Sequence, residues 1–273
     1  MTVIAVRPFA QARQAGLLLA AGGWPAAEQA RKPYKPHRAA EAARRALSGL
    51  RSHPAVLSAQ AVALGPGGAA ALFAVGQGAW SHTATAEVAD FMQQPEVAAL
   101  EPAAAADWQA AETELAAVLA RADLGAFLAE LFGPPLPVLC AYPHLLYPGR
   151  ERVVSGLPGG LLLTLPPPPA WGASPPWRYT DRPDEVLAAA AEALAAALFA
   201  RAAGHPALAA QAAPLGLAAA VLFLRAAEGP DAADQFMLME KRTRALPQLP
   251  ALVAALHGKQ GLDAVAQTLE PKD

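Results

Sequence analysis

Cysteine, charge and lysine are scarce in this chain of 273 residues, and each scarcity closes off a class of explanation. Cys140 is the only cysteine, so no intramolecular disulfide can form and the cysteine-rich zinc arrangements are excluded. It lies in the apolar run PLPVLCAY, where a buried, inert thiol is expected. Charged residues make up 16% against 54% hydrophobic, a balance that supplies a sizeable core and argues against general disorder. Lysine is rarer still, five against sixteen arginines, which reads as compositional bias rather than specialisation. The formal charge of −2 is too small to imply a partner. The glycine-containing stretch 76–80 has neither a GxGxxG nor a GxxxxGK[ST] arrangement, and neither Ser155 nor Ser174 sits in a GxSxG elbow. Dinucleotide, Walker-type phosphate and serine-nucleophile sites are therefore not signalled.

No membrane span is expected either. The closest stretch, 208–224, is short, mainly alanine, and contains Gln211 and Pro214. Arg7 and Arg13 break the apolar start, so no signal peptide is expected. A soluble, cytoplasmic protein is the expectation that remains.

What is present is alanine, proline and an uneven charge distribution. Alanine adds little burial energy per residue but lets helices approach closely. Residues 1–51 carry nine Lys/Arg and two Asp/Glu, whereas residues 87–130 carry nine Asp/Glu and one Arg. Such segments can attract each other, steer a partner, or lie apart as solvated surfaces. Arg31, Lys32, Lys35 and Arg38 surround Tyr34, which raises nucleic-acid binding through 31–45 as an alternative. No RNP pattern or zinc finger accompanies that patch, so nucleic acid is not the expected partner.

Periodicity and punctuation predict helices over 11–21, 39–50, 54–63, 83–92 and 105–131, the last ending at Phe132-Gly133-Pro134-Pro135. The run 69–75 fits either a strand or a short helix, and 3–6 fits an edge strand. In 136–146, β-favouring Val and Tyr alternate with prolines that disfavour a continuous helix or a central strand. Further strands are expected near 153–154 and 161–165. The stretch 184–203, DEVLAAAAEALAAALFARAA, is the strongest helix of the chain. It follows Pro183, opens on Asp184 and Glu185 where the helix dipole favours negative charge, and aligns Leu187, Leu194 and Leu198 in one stripe from which Glu192 points away. Helices over 208–227, interrupted near Pro214, and over 231–244, 252–257 and 262–269 follow. The expected fold class is α+β, predominantly helical, with a small sheet in the region 136–165. A helical region 1–133 and a mixed region 134–273 built on the helix 184–203 are expected, as two domains or as one continuous domain.

Six histidines are dispersed without metal-ligand spacing, and no cofactor or metal site is expected. His82, Glu87, His144 and Glu185 carry the imidazole and carboxylate groups that acid–base work requires, and would act only if the tertiary fold brought them together. Cys140 and His144 would lie roughly 13 Å apart along a strand, too far for direct proton transfer. The proline run 166–169 is followed by Trp171, Trp177 and Tyr179. These aromatic residues either present a surface to a protein or peptide partner or anchor an extended loop onto its own core.

The order of a helical first half, a proline-punctuated strand region and then an acidic helix resembles that of some zinc metallopeptidases. In that family HExxH places two zinc-binding histidines on one helical face and a water-activating glutamate between them. DEVLA matches it with Glu185 at the glutamate, and Asp184 and Ala188 at the histidine positions. The resemblance implies a metallopeptidase-like scaffold lacking its zinc site, because Ala188 has no atom that can coordinate metal.

These observations lean away from an enzyme. The leading expectation is a non-catalytic protein-interaction or structural domain with its partner at 166–179. The alternatives are a hydrolase built on His82, Glu87, His144 and Glu185, and a nucleic-acid binder using the basic patch.

Overall fold

Proline and glycine set most of the element boundaries. The computed structural model describes residues 4–23, 34–35, 37–65, 68–73, 82–146, 152–168, 170–171, 178–202, 205–257, 262 and 265–266. They form a predominantly helical α+β fold with a small mixed sheet. They divide into two units, each discontinuous in sequence: 5–117 with 140–182, and 1–4 with 118–139 and 183–273.

In the first unit, β1 (Ala5–Val6) leads into α1 (Ala10–Gly22). The helix stops at Gly23, whose left-handed φ of 88° lets its N–H reach back to the carbonyls of Leu19 and Ala20. From Ala15 to Gly22 every residue of α1 is buried, so this helix is enclosed rather than amphipathic. The two-residue strand β2 (Tyr34–Lys35) precedes α2 (Arg38–Ala46), a short 3₁₀ turn (Ser48–Leu50), α3 (Pro54–Leu64) and α4 (Gly68–Phe73). Histidines cap two of these helices: Nδ1 of His37 accepts from Ala39 N–H at 3.1 Å, and Nδ1 of His53 from Ala55 N–H at 3.2 Å. Gln60 of α3 donates to the Gly22 carbonyl at 2.7 Å, satisfying one of the open acceptors at the end of α1.

Then come α5 (His82–Met92) and α6 (Pro95–Leu119), which starts well before the expected residue 105 and runs through Pro102. The helix expected over 105–131 is in fact two. Asp123 breaks the run by accepting the Ala126 N–H at 2.8 Å, and so starts α7 (Leu124–Phe132) afresh.

The sheet has the order β1–β3–β5–β4, with β3 (Val138–Pro143), β4 (Val153–Leu157) and β5 (Gly160–Leu165) added to β1. β1 lies parallel to β3 in the register Ala5↔Cys140 and Val6↔Ala141. β4 and β5 form an antiparallel hairpin whose turn uses Gly159 at φ 69°. The expectation that prolines exclude a central strand at 136–146 is corrected here: β3 has a neighbour on each side. Pro134, Pro135 and Pro137 all precede it and Pro143 is its last residue, so no internal ladder N–H is lost. Cys140 is fully buried on this strand, as the apolar run implied. A second sheet pairs β2 with β6 (Ala170–Trp171).

The second unit is organised around α8 (Pro183–Ala200), the helix expected at 184–203. It is followed by α9 (Pro206–Ala210), α10 (Ala212–Ala227), α11 (Pro230–Thr243) and α12 (Leu249–Leu256). Pro214 sits in the first turn of α10, where its missing N–H removes no intrahelical bond. No helix among the described residues is long and apolar enough to cross a membrane.

α8 and α10 share the most extensive helix contact of this unit, and small residues permit it. A Cβ placed on Gly216 would lie 2.6 Å from the Ala196 Cβ and from the Glu192 carbonyl oxygen. Burial also extends to Glu192, which does not point away from the core as its place off the leucine stripe suggested. It is 9% exposed, and Arg244 from the end of α11 donates to both its carboxylate oxygens at 2.5 and 3.1 Å. Pairing is what makes such a carboxylate tolerable inside an alanine-rich core.

Gly216→Ala is expected to lower stability by about 1–3 kcal/mol, because the added methyl must force the backbones of α8 and α10 apart. Urea unfolding measures this. Gly49→Ala, where an added Cβ meets no atom within 4 Å, serves as the control with a change below about 0.5 kcal/mol.

Candidate functional site

Three helices of the first unit enclose a cleft of about 440 Å³. Its floor is mainly alanine, from Ala39, Ala42 and Ala43 of α2 and Ala103, Ala104 and Ala106 of α6, with Leu17, Leu100 and Leu146 filling between them. Alanine makes the hollow: larger side chains at these positions would fill it. The polar groups are few and placed on its walls, namely Arg13 from α1, Arg38 and Arg45 from α2, and Glu101 and Asp107 from α6.

Arg13 is held from three directions. Its guanidinium carbon lies 4.6 Å above the Trp108 ring, and its Nη1 donates to Glu101 at 3.1 Å. Burial works to lower its pKa, but the Tyr142 hydroxyl and Glu101 outweigh that cost and leave it raised. Below Arg13, Trp108 stacks on Tyr142 with ring centroids 5.5 Å apart and planes 18° from parallel. Tyr142 in turn meets His144, which meets Phe73 edge-on at 5.0 Å. Arg38 grips Asp107 with two parallel hydrogen bonds, the Nε contact at 2.9 Å, and this bonding holds the Asp107 carboxyl below its usual pKa.

These pairs answer the charge asymmetry of the sequence. Arg13–Glu101 and Arg38–Asp107 each join the basic segment 1–51 to the acidic segment 87–130, and just beyond the basic segment His53 Nε2 is hydrogen-bonded with Asp90 at 3.0 Å. The asymmetry is the sequence signal by which the cleft was accessible. Trp108 carried no such signal.

The residues singled out for chemistry lie elsewhere. His82 begins α5, and its side chain falls outside the described residues. Glu87, on the same helix, accepts from the Ser58 hydroxyl at 3.2 Å. His144 is fully buried, and Gly16 makes room for it: a Cβ on Gly16 would come within 2.6 Å of its Nε2. Burial lowers its pKa to about 3, with the Ala12 backbone acting weakly in the opposite direction. A ring so placed is neutral at pH 7 and closed to solvent, which removes the neutral-pH base role considered for it. Glu185 belongs to the other unit, in the first turn of α8. Glu87, His144 and Glu185 are not among the described residues that line the cleft.

At the positions matched to HExxH, Asp184 is exposed and Ala188 is buried without a donor atom, so these side chains do not fit a zinc ion. No group of three or more His, Cys, Asp or Glu among the described residues could hold a metal.

Of the aromatic residues after the proline run, Trp171 has its backbone paired with Tyr34, and Trp177 lies outside the described residues. Tyr179 is 1% exposed and donates its hydroxyl to the Leu165 carbonyl at 2.6 Å. It anchors its loop rather than presenting a surface to a partner. Arg178 beside it reaches Glu114 at 2.6 Å, and the Tyr179 N–H bonds the same carboxylate at 3.2 Å.

Comparison of the chain with protein-family models, curated proteins and solved structures gives no match.

The buried imidazole makes stability depend on pH. The unfolded ring takes a proton near pH 6.5 and the folded ring only near 3, so the unfolded state binds more protons between those values. Stability present above pH 6.5 is lost as pH falls through that window, by up to about 1.4 kcal/mol per unit. His37, whose pKa burial also lowers, contributes with the same sign. Urea unfolding from about pH 7 to about pH 4.5, above the main carboxylate range, is therefore expected to show a smaller loss for His144→Leu than for the native chain.

Proposed function

We propose that the chain is a non-catalytic interaction domain that receives its partner in the cleft between α1, α2 and α6. The observation that carries this reading is the composition of the cleft wall. An alanine and leucine floor is bordered by charged groups that are fixed in place, Arg13 by Glu101 and Trp108, and Arg38 by Asp107. A concave, mainly apolar hollow with a few oriented polar groups is the usual form of a binding site, and a volume of about 440 Å³ falls in the range for such sites.

Catalysis would require more than this. Among the described residues, the cleft wall has no His, Ser, Thr or Cys, and its carboxylates, Glu101 and Asp107, are committed to arginines. The same commitment counts against the basic patch as a nucleic-acid surface, because Asp107 neutralises Arg38 within it. A metallopeptidase-like scaffold without a metal centre is compatible with this reading, since Ala188 stands where that family has a zinc ligand. The partner surface expected at 166–179 gives way to the cleft, because Tyr179 is internal.

Ala42, exposed on α2 at the cleft wall, provides the test. Ala42→Trp fills the hollow from a surface position and should change stability by no more than about 0.5 kcal/mol. The native chain, isolated under non-denaturing conditions and examined by native mass spectrometry, is expected to retain a bound species that Ala42→Trp loses while its circular dichroism and Tm are kept. Equal retention by both proteins would overturn the proposal, and so would substrate turnover by the native chain that the tryptophan abolishes.

A further inference from the structure

The exposed side of α11 carries a pattern that is complementary to itself. Asp231, Gln235, Leu238 and Arg242 follow at spacings of four, three and four residues, so they stand in one line along the helix, and all four are exposed. Met239 lies beside Leu238, and both side chains are 50% exposed. The opposite side of the helix turns inward through Ala233, which is fully buried, and Glu240, which accepts from Arg244 at 2.5 Å. Asp234, at the edge of the exposed line, is held by Arg225 of α10 at 2.7 Å. The line is thus acidic at its start, apolar at its centre and basic at its end.

The helix dipole by itself favours acid in the first turn and base in the last. It gives no reason for two large apolar side chains to stand half in water between them. Rotated by a half turn about an axis across its middle, the same line meets its own complement. The basic end of one copy then lies over the acidic end of the other, and the apolar centres meet. With the axis midway between Asp231 and Arg242, those two side chains fall level across the pair. The two Leu238 side chains then lie about 4.5 Å apart along it, close enough to interdigitate. A parallel pairing would instead set Asp231 against Asp231 and Arg242 against Arg242.

We propose that this face of α11 docks a second copy of the chain, as an antiparallel helix pair with two-fold symmetry. The face lies on the other unit from the cleft and is independent of the reading given for the cleft. One helix of 14 residues falls short of the roughly 1,200–2,000 Å² that a stable interface buries. The dimer is therefore a weak one, with a dissociation constant of about 1–100 µM.

Sedimentation equilibrium at concentrations on either side of that range tests the proposal. The native chain is expected to pass from monomer to dimer as its concentration rises, and to dissociate more readily in added salt. Leu238→Asp, a change at an exposed position, is expected to weaken the dimer by about tenfold or more with the Tm kept. Asp231→Arg and Arg242→Asp, each alone, set like charges face to face and are expected to weaken it similarly. The double variant Asp231→Arg/Arg242→Asp keeps both local disturbances but restores opposite charges across the pair. Its association is expected to return to within about threefold of the native chain. If the double variant loses its fold, an equimolar mixture of the two single variants carries the same test, because each then faces its opposite. A native chain that stays monomeric throughout overturns the proposal and leaves the face to solvent or to a different partner. A dimer that Leu238→Asp leaves intact overturns it by placing the contact elsewhere. A folded double variant, or a mixture, that associates no better than the single variants overturns the antiparallel pairing.

Discussion

The guanidinium of Arg13 lies 4.6 Å above the face of Trp108, a half-buried cation on an aromatic ring that is itself stacked on Tyr142. The contact joins α1 to α6 across the base of the cleft, and its neighbours make it tolerable. A cation at this depth would be costly alone; Glu101 and the Tyr142 hydroxyl offset that cost, while the ring adds about 0.5–2 kcal/mol. Beneath it the stack continues through Tyr142 and His144 to Phe73, and the close approach of α1 to His144 depends on Gly16. With these large groups bracing the helices from below, the alanines above them can border an open hollow.

The second unit uses small residues for the opposite purpose. Around Gly216 and Ala196 the helices α8 and α10 come so close that a single added methyl meets backbone atoms. Alanine contributes little burial energy on its own, so a helix pair of this composition gains its stability from close packing along its length. Glu192 is the exception within that contact, and two hydrogen bonds from Arg244 offset the cost of burying its charge. One compositional bias thus produces a tight interface in one unit and a cleft in the other, depending on whether bulky side chains stand between the helices.

The helices were legible where proline and glycine punctuate them, as at α1 before Gly23, α3 after Pro54 and α8 after Pro183. Reading became less certain where a boundary depends on a side-chain bond, as at Asp123, which separates α6 from α7 by capping rather than by breaking the helical composition. At β3 the prolines were visible, but their harmlessness depended on lying outside the ladder. Of the site, the opposed charge of segments 1–51 and 87–130 was visible from composition, without any indication of which charges would meet. His144 stood out as a titratable group near an apolar run; only its complete enclosure shows that it stays neutral.

Local chemistry in the sequence therefore determined the helix ends that proline and glycine mark, the helical weight of an α+β fold, the buried environment of Cys140 and the presence of two oppositely charged segments. These follow from backbone restriction, side-chain propensity and the pattern of apolar residues, which act over a few positions. Tertiary structure decided that Arg13 meets Glu101 across 88 residues and Arg38 meets Asp107 across 69. It also decided that Glu192 is buried and that Tyr179 faces inward. The physical reason is the same in each case. Pairing and burial depend on which helix faces close on each other, and that is set by the whole packed unit rather than by any stretch of chain.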